Sequence, residues 1–312
     1  MTKHNEPRPP TSDDAPKPAA IVETIAVPGD PNSLVMNRAG TRLYVTSATT
    51  GSITVLGTQP LRVIQTLTGL GSPIRIVISP DDSRVYVSDN SVATGTPINV
   101  IETLNNTVVK TITGLITVNG MARNSTGTRL YVADHGDSKL VAFDTSTYQR
   151  VSETPVHGPK DVVIAPDNTR AHVATDSHGW AIVDLASNNV TAYIGIAAGP
   201  PTAIAYSPRY PNLYITHRES GKVTVGNALI PDVSKEISNL EGPWAIAFNR
   251  LSEMAYISET DGRRISIIDT RLNRITGTIE GFDKPRGMVV APDGRNLYVA
   301  DIENGSVSMV RL

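Results

Sequence analysis

A short motif, Thr128-Arg129-Leu130-Tyr131-Val132-Ala133-Asp134, returns at nearly fixed intervals from one end of the chain to the other. Its central aromatic recurs as Tyr44, Tyr86, Tyr131, Tyr214, Tyr256 and Tyr298, with His172 in the fourth place, at spacings of 42, 45, 41, 42, 42 and 42 residues. Seven copies of one unit constrain the fold more than length does. A chain of 312 residues would otherwise suggest two domains, whereas a repeat array of that size folds as one.

Each copy divides into four short segments rich in Val, Ile, Leu, Tyr and Thr, which the third copy shows over 120–123, 129–133, 139–144 and 150–154. Gly, Asn, Asp, Ser or Pro separates them, so they read as strands joined by hairpin turns, with no amphipathic helix evident. The first turn is Ser79-Pro80-Asp81-Asp82 or Ala291-Pro292-Asp293-Gly294 in different copies, where proline presets φ and the following residues tolerate the turn. Proline also precedes the first segment in six copies, at Pro31, Pro73, Pro159, Pro201, Pro243 and Pro285, with Val118 as the exception.

Four-stranded meanders of this length, repeated seven times, predict an all-β fold, a seven-bladed β-propeller of four-stranded antiparallel blades. The seventh copy reaches Leu312 after its third segment. The segment 21–27, Ile-Val-Glu-Thr-Ile-Ala-Val, is of fourth-segment type and is expected to complete the last blade and close the ring. The expected organisation is a disordered proline-rich N-terminal arm over 1–20 and a single propeller domain over 21–312.

With 28 basic and 30 acidic side chains the formal charge is -2, which disfavours nucleic acid and anionic membranes as partners. The absence of cysteine removes disulfides, thiolate chemistry and cysteine-bound metals. The N-terminal residues lack the apolar run of a secretory signal, and no apolar stretch is long enough to span a bilayer, so a cytoplasmic location is expected.

Tyr44-Val45-Thr46-Ser47 and Tyr86-Val87-Ser88-Asp89 resemble the signature of the YVTN-repeat propellers, over residues 21–312. The resemblance implies the fold and says little of activity. WD40 and PQQ-type propellers fit less well, because Trp180 and Trp244 are the two tryptophans and neither belongs to a tryptophan repeat.

In a propeller, the loops between segments four and one and between two and three share a face, which is the default ligand site. After each strand-opening residue come Asn32, Ile74, Asn119, Lys160, Thr202, Trp244 and Arg286, then Ser33, Arg75, Gly120, Asp161, Ala203, Ala245 and Gly287. Three positions after the repeat aromatic stand Ser47, Asp89, Asp134, Thr175, His217, Glu259 and Asp301. Both sets are expected to ring the mouth. Asp89, Asp134 and Asp301 suit a turn and would add carboxylates to the ligand contacts. His217 and Glu259 depart from that pattern and are the candidates for a general acid or base, with an ordinary surface place as the alternative.

Two like charges about 8 Å apart, at an effective dielectric of about 20, repel by about 2 kcal/mol. The cations Arg75, Lys160 and Arg286 are therefore expected to compensate Asp89, Asp134, Glu259 and Asp301. No cofactor is required, although calcium or magnesium could occupy the same oxygens. Trp244 is placed to stack a ligand or to meet Arg286 in a cation contact, with packing between blades as the alternative. His135, His157 and His178 fall in loops of the same face, and His172 is expected in the core.

The segment from Lys284 to Gly294 is similar to the strand-opening segment of the 6-phosphogluconolactonase-like propellers. That resemblance implies a lactonase-like hydrolase, or a lyase or isomerase, with Arg286 holding a carboxylate or phosphate of a small acid, lactone or sugar-like ligand. Gly287 and Asp161 stand where that family has histidine, so its catalytic residue has no counterpart. The other functional class in view is a non-catalytic scaffold for a protein partner.

Overall fold

The computed structural model describes residues 19–91, 95–176 and 179–312. The arm expected over 1–20 lies, up to residue 18, outside the described residues, as does His178. Among the described residues there are 28 strands and no helix. They form seven four-stranded antiparallel sheets, six of them from consecutive strands. The seventh is Pro285–Val290, Asn296–Asp301 and Ser306–Arg311, with the N-terminal strand Ala20–Ala26 paired on its outer edge. The chain thus closes its ring as the repeat pattern predicts, with Ile21 opposite Val310 and Ile25 opposite Val307.

The repeated motif is the second strand of each blade, and its burial explains its composition. In all seven copies the first residue is half-buried and the next five are buried. A strand covered by neighbouring blades on both faces needs a nearly continuous apolar run rather than alternation. Leu43, Leu130, Leu213 and Leu297, with the valine or isoleucine two places later, fill the spaces between blades. The outer strands are far more exposed, and three of them, Ala20–Ala26, Asn189–Ile194 and Arg274–Ile279, alternate instead.

Blades are stapled to one another at roughly one repeat length. On the face carrying the first turns, Asp82 accepts the Arg38 amide at 3.0 and 2.9 Å, Asn168 accepts the Ser125 amide at 2.8 Å, and the Asn249 side chain donates to the Gly294 carbonyl at 2.9 Å. Asn168 and Asp82 sit at positive φ, a conformation that Asn and Asp tolerate better than most residues. His172 replaces the repeat tyrosine and is core, 1% exposed, beside Tyr206 at a ring separation of 6.1 Å.

The first strands line the central channel. In six blades the register between the first and second strands shifts just after the strand opens, for example between Pro243 and Ile246 and between Pro285 and Met288. Such an irregularity leaves residues out of the ladder and re-aims their side chains. Trp244 and Arg286 lie in these shifted stretches.

Candidate functional site

The backbone of the channel mouth is held by hydroxyls two positions after the repeat aromatic. Ser258, fully buried, accepts the Ala245 amide at 3.0 Å and donates to the Arg286 carbonyl at 2.8 Å, joining two adjacent blades. Thr216 does the same one blade earlier, accepting the Ala203 amide at 3.1 Å and donating to the Trp244 carbonyl at 2.9 Å. Thr46 donates to the Ile74 carbonyl at 3.2 Å. A buried amide or carbonyl left without a partner costs about 1–3 kcal/mol, so these hydroxyls fix where the mouth residues emerge.

The mouth is a cavity of about 480 Å³ whose lining includes Arg75, Asn119, Lys160, Thr202, Arg218, Trp244 and Asp261. The Arg286 guanidinium lies over the Trp244 indole, 4.1 Å from its ring centroid, and Arg218 approaches the same ring at 5.6 Å. Trp244 thus lines the mouth and meets Arg286 of the next blade in the cation contact. Arg218 is bound by Asp261 at 2.9 and 3.3 Å. Lys160 pairs with Asp176 at 3.0 Å, and Asp176 also holds His135 at 2.6 Å.

Arg286 differs from its neighbours. Its Nε is buried with no hydrogen-bond partner. Burial, and then the like charges of Arg218 and Arg75, push its guanidinium below the usual arginine range, partly offset by Asp30 and Asp261. Asp161, deeper in the channel, is raised by burial against the lowering influence of Arg75, and accepts the amides of Val162 at 3.0 Å and Ile204 at 3.1 Å.

The residues expected to form a second ring at the mouth are enclosed in the wall instead. Each is the last residue of a second strand, and it reaches back to the loop that precedes the first strand of its own blade. Asp89 accepts the amide of Ser72 at 2.8 Å, Asp134 that of Thr117 at 2.8 Å, and Asp301 those of Asp283 and Lys284 at 2.8 Å. These carboxylates are thereby spent on backbone amides, and their exposures are 9%, 1% and 1%.

His217 and Glu259, expected at the mouth, are enclosed in the same way, both being 0% exposed. His217 Nδ1 lies 2.8 Å from the Gly199 carbonyl oxygen, to which it donates, leaving Nε2 to accept the Thr224 hydroxyl at 3.0 Å. Burial lowers its pKa, so the neutral ring has both nitrogens in use. Glu259 accepts the Glu241 amide at 2.6 Å, Arg264 at 3.0 and 3.2 Å, and the Ser266 hydroxyl.

The charge balance drawn from the sequence changes accordingly. Amides neutralise the wall carboxylates, with Arg264 added at Glu259, and the mouth cations face Asp161, Asp176 and Asp261 instead. Among the described residues no group of three or more His, Cys, Asp or Glu side chains is placed to hold a metal ion. The charged lining residues that the sequence reading missed are Arg218 and Glu219, one and two positions beyond His217, and Asp261, two beyond Glu259. The signal available was their place in the loop after a strand end whose last residue is buried.

The architecture is that of a seven-bladed β-propeller. No protein-family model matches the chain. It is 25% identical over 340 aligned residues to the seven-bladed beta-propeller protein Rv1057 of Mycobacterium tuberculosis, covering 91% of this chain and 83% of that protein. It is 27% identical over 144 residues to the uncharacterized protein YncE of Salmonella typhi, covering 45% of this chain and 40% of YncE. Among solved structures, Kuenenia stuttgartiensis hydrazine synthase superposes with a TM-score of 0.82 at 18% identity, over 92% of this chain and 96% of that one. The Cps50 (Swd1) β-propeller domain of Myceliophteria thermophila gives a TM-score of 0.82 at 13% identity, over 95% and 100%. These structural likenesses concern the fold alone.

Proposed function

We propose that this propeller binds a small organic anion at the channel mouth, without turning it over. The observation that carries the reading is the Arg286 Nε, buried without an acceptor in a guanidinium stacked on Trp244. A carboxylate or phosphate bound against this guanidinium would give it an acceptor, in a charge-assisted bond worth about 1.5–3 kcal/mol. Arg75, Arg218 and Lys160 line the cavity that Trp244 also lines and, outnumbering Glu219 and Asp261, favour the same sign of ligand.

A lactonase-like hydrolysis needs a base at the cavity. His217 and Glu259 lie behind its wall, Asp261, which does line it, is held by Arg218, and Glu219 is the one further carboxylate of the lining among the described residues. Recognition of an acid or sugar acid is therefore the part of the enzyme reading that this proposal keeps. The scaffold reading draws on a different surface, the exposed pairs Val63 and Ile64 and Val108 and Val109 on neighbouring outer strands.

The test is a tryptophan-emission titration with succinate and with inorganic phosphate, using Trp244→Phe to assign the signal. A saturable response that weakens about tenfold or more in Arg286→Gln supports the proposal. No saturable response to either anion, or one unchanged in that variant, overturns it. Hydrolysis of gluconolactone that Arg286→Gln abolishes would overturn the claim that binding is without turnover.

A further inference from the structure

The opposite end of the channel carries a second cavity, of about 460 Å³, with a different chemistry. Ile246, Phe248, Met288 and Val290, from the first strands of two adjacent blades, give it an apolar wall. Its rim holds Arg38 and Arg250 from two first turns, and Arg123 from the end of another first strand. None of the three pairs with a carboxylate at salt-bridge distance among the described residues.

Two of the three arginines are held in place by backbone oxygens. Arg123 Nε donates to the Ile78 carbonyl at 2.6 Å, and one of its terminal nitrogens to Asn124 at 3.4 Å. Arg38 donates from its guanidinium to the Pro80 carbonyl at 3.2 Å. Asp82, the carboxylate that acts on Arg123, has both oxygens on the Arg38 amide. Burial, and then the charges of Arg250 and Arg38, push the Arg123 guanidinium below the usual range, with Asp82 opposing.

Like charges gathered against an apolar wall are a poor arrangement for an empty cavity and a good one for an amphipathic anion. We infer that the Arg38, Arg123 and Arg250 end of the channel is a second ligand site, taking a monocarboxylate with an apolar tail. The tail would lie along Ile246, Phe248 and Met288, and the carboxylate among the guanidiniums. Buried alkyl carbon and a paired carboxylate each supply only part of the affinity, so neither the tail nor the charge alone should bind well. The inference does not rest on the reading of the other mouth.

Octanoate is the probe, with octanol for the tail alone and acetate for the charge alone, each titrated calorimetrically. One saturable octanoate site is expected, with octanol and acetate at least tenfold weaker. Arg123→Gln and Arg250→Gln should each weaken octanoate at least tenfold, while Arg286→Gln leaves it unchanged. Arg250 is exposed, so its variant keeps the test usable if loss of the Arg123 bonds unfolds the protein. Absence of saturable octanoate binding, acetate or octanol binding as tightly at a site that Arg250→Gln weakens, or sensitivity to Arg286→Gln in place of Arg250→Gln overturns the inference.

Discussion

Glu259 accepts the backbone amide of Glu241 at 2.6 Å, reaching back 18 residues to the loop that brings the chain into its own blade. Asp301 and Asp134 reach back the same 18 residues to Asp283 and Ile116, and His217 makes the equivalent contact with the Gly199 carbonyl. The position three residues after the repeat aromatic is therefore a clasp between strand end and incoming loop. His217 donates where the carboxylates accept, so the clasp survives a change of side-chain chemistry.

If Glu259 is a clasp, Glu259→Ala strands the Glu241 amide and the partly buried Arg264, and stability should fall by about 3 kcal/mol. Denaturant unfolding measures the loss. The anion response of Trp244 should persist in the folded variant. Loss of that response with an unchanged unfolding midpoint would instead make Glu259 part of the ligand site.

His172 should make stability fall in acid. Burial holds its pKa down to about 4 from an ordinary 6.5, and neither ring nitrogen has a partner. Above pH 6.5 the ring is neutral in both the folded and unfolded chain. As pH drops from 6.5 towards 4 only the unfolded chain gains the proton, so stability is progressively lost, by on the order of 3 kcal/mol. Comparing unfolding free energies at pH 7 and pH 4.5, His172→Phe should decline by less than the wild type. Equal declines would refute the assignment. His217, shifted in the same direction, supplies part of what remains.

Ser258 should govern the mouth without touching a ligand. Ser258→Ala frees the Arg286 carbonyl and the Ala245 amide, which should lower stability by about 1–3 kcal/mol and loosen anion binding severalfold. Ser258→Thr, the residue type at Thr216 and Thr46, should restore both. Unaltered affinity in a measurably destabilised Ser258→Ala would show that this clip does not position Arg286.

The period of Tyr44 through Tyr298 contained the whole ring, including the edge strand supplied by residues near 21, because blade closure is encoded in repeated local pattern. The mouth was partly legible. Trp244, Arg75 and Lys160 follow the strand-opening position, where the register shifts, and line the mouth cavity, with Arg286 stacked on Trp244. Glu259 and His217 were misplaced because departure from a consensus looks the same whether the side chain faces solvent or a backbone amide. Arg218 and Asp261 depend on how far a loop carries the chain past a buried strand end, and Arg123, Arg38 and Arg250 meet only when distant blades converge on one axis. No spacing within a repeat encodes either.

The pairing of Thr24 with Ser308, 284 residues apart, has a kinetic meaning. The other strand pairs join segments adjacent in sequence and can form as soon as one hairpin is made. Loop-closure entropy that grows as 1.5RT ln n makes the long contact about 2 kcal/mol harder to initiate than one across a single repeat. Local blades should therefore assemble early and the final outer strand dock last, leaving an open-ring species with an unsatisfied Ser306–Arg311 edge. The lifetime of that species sets the interval during which one chain could lend its edge strand to another.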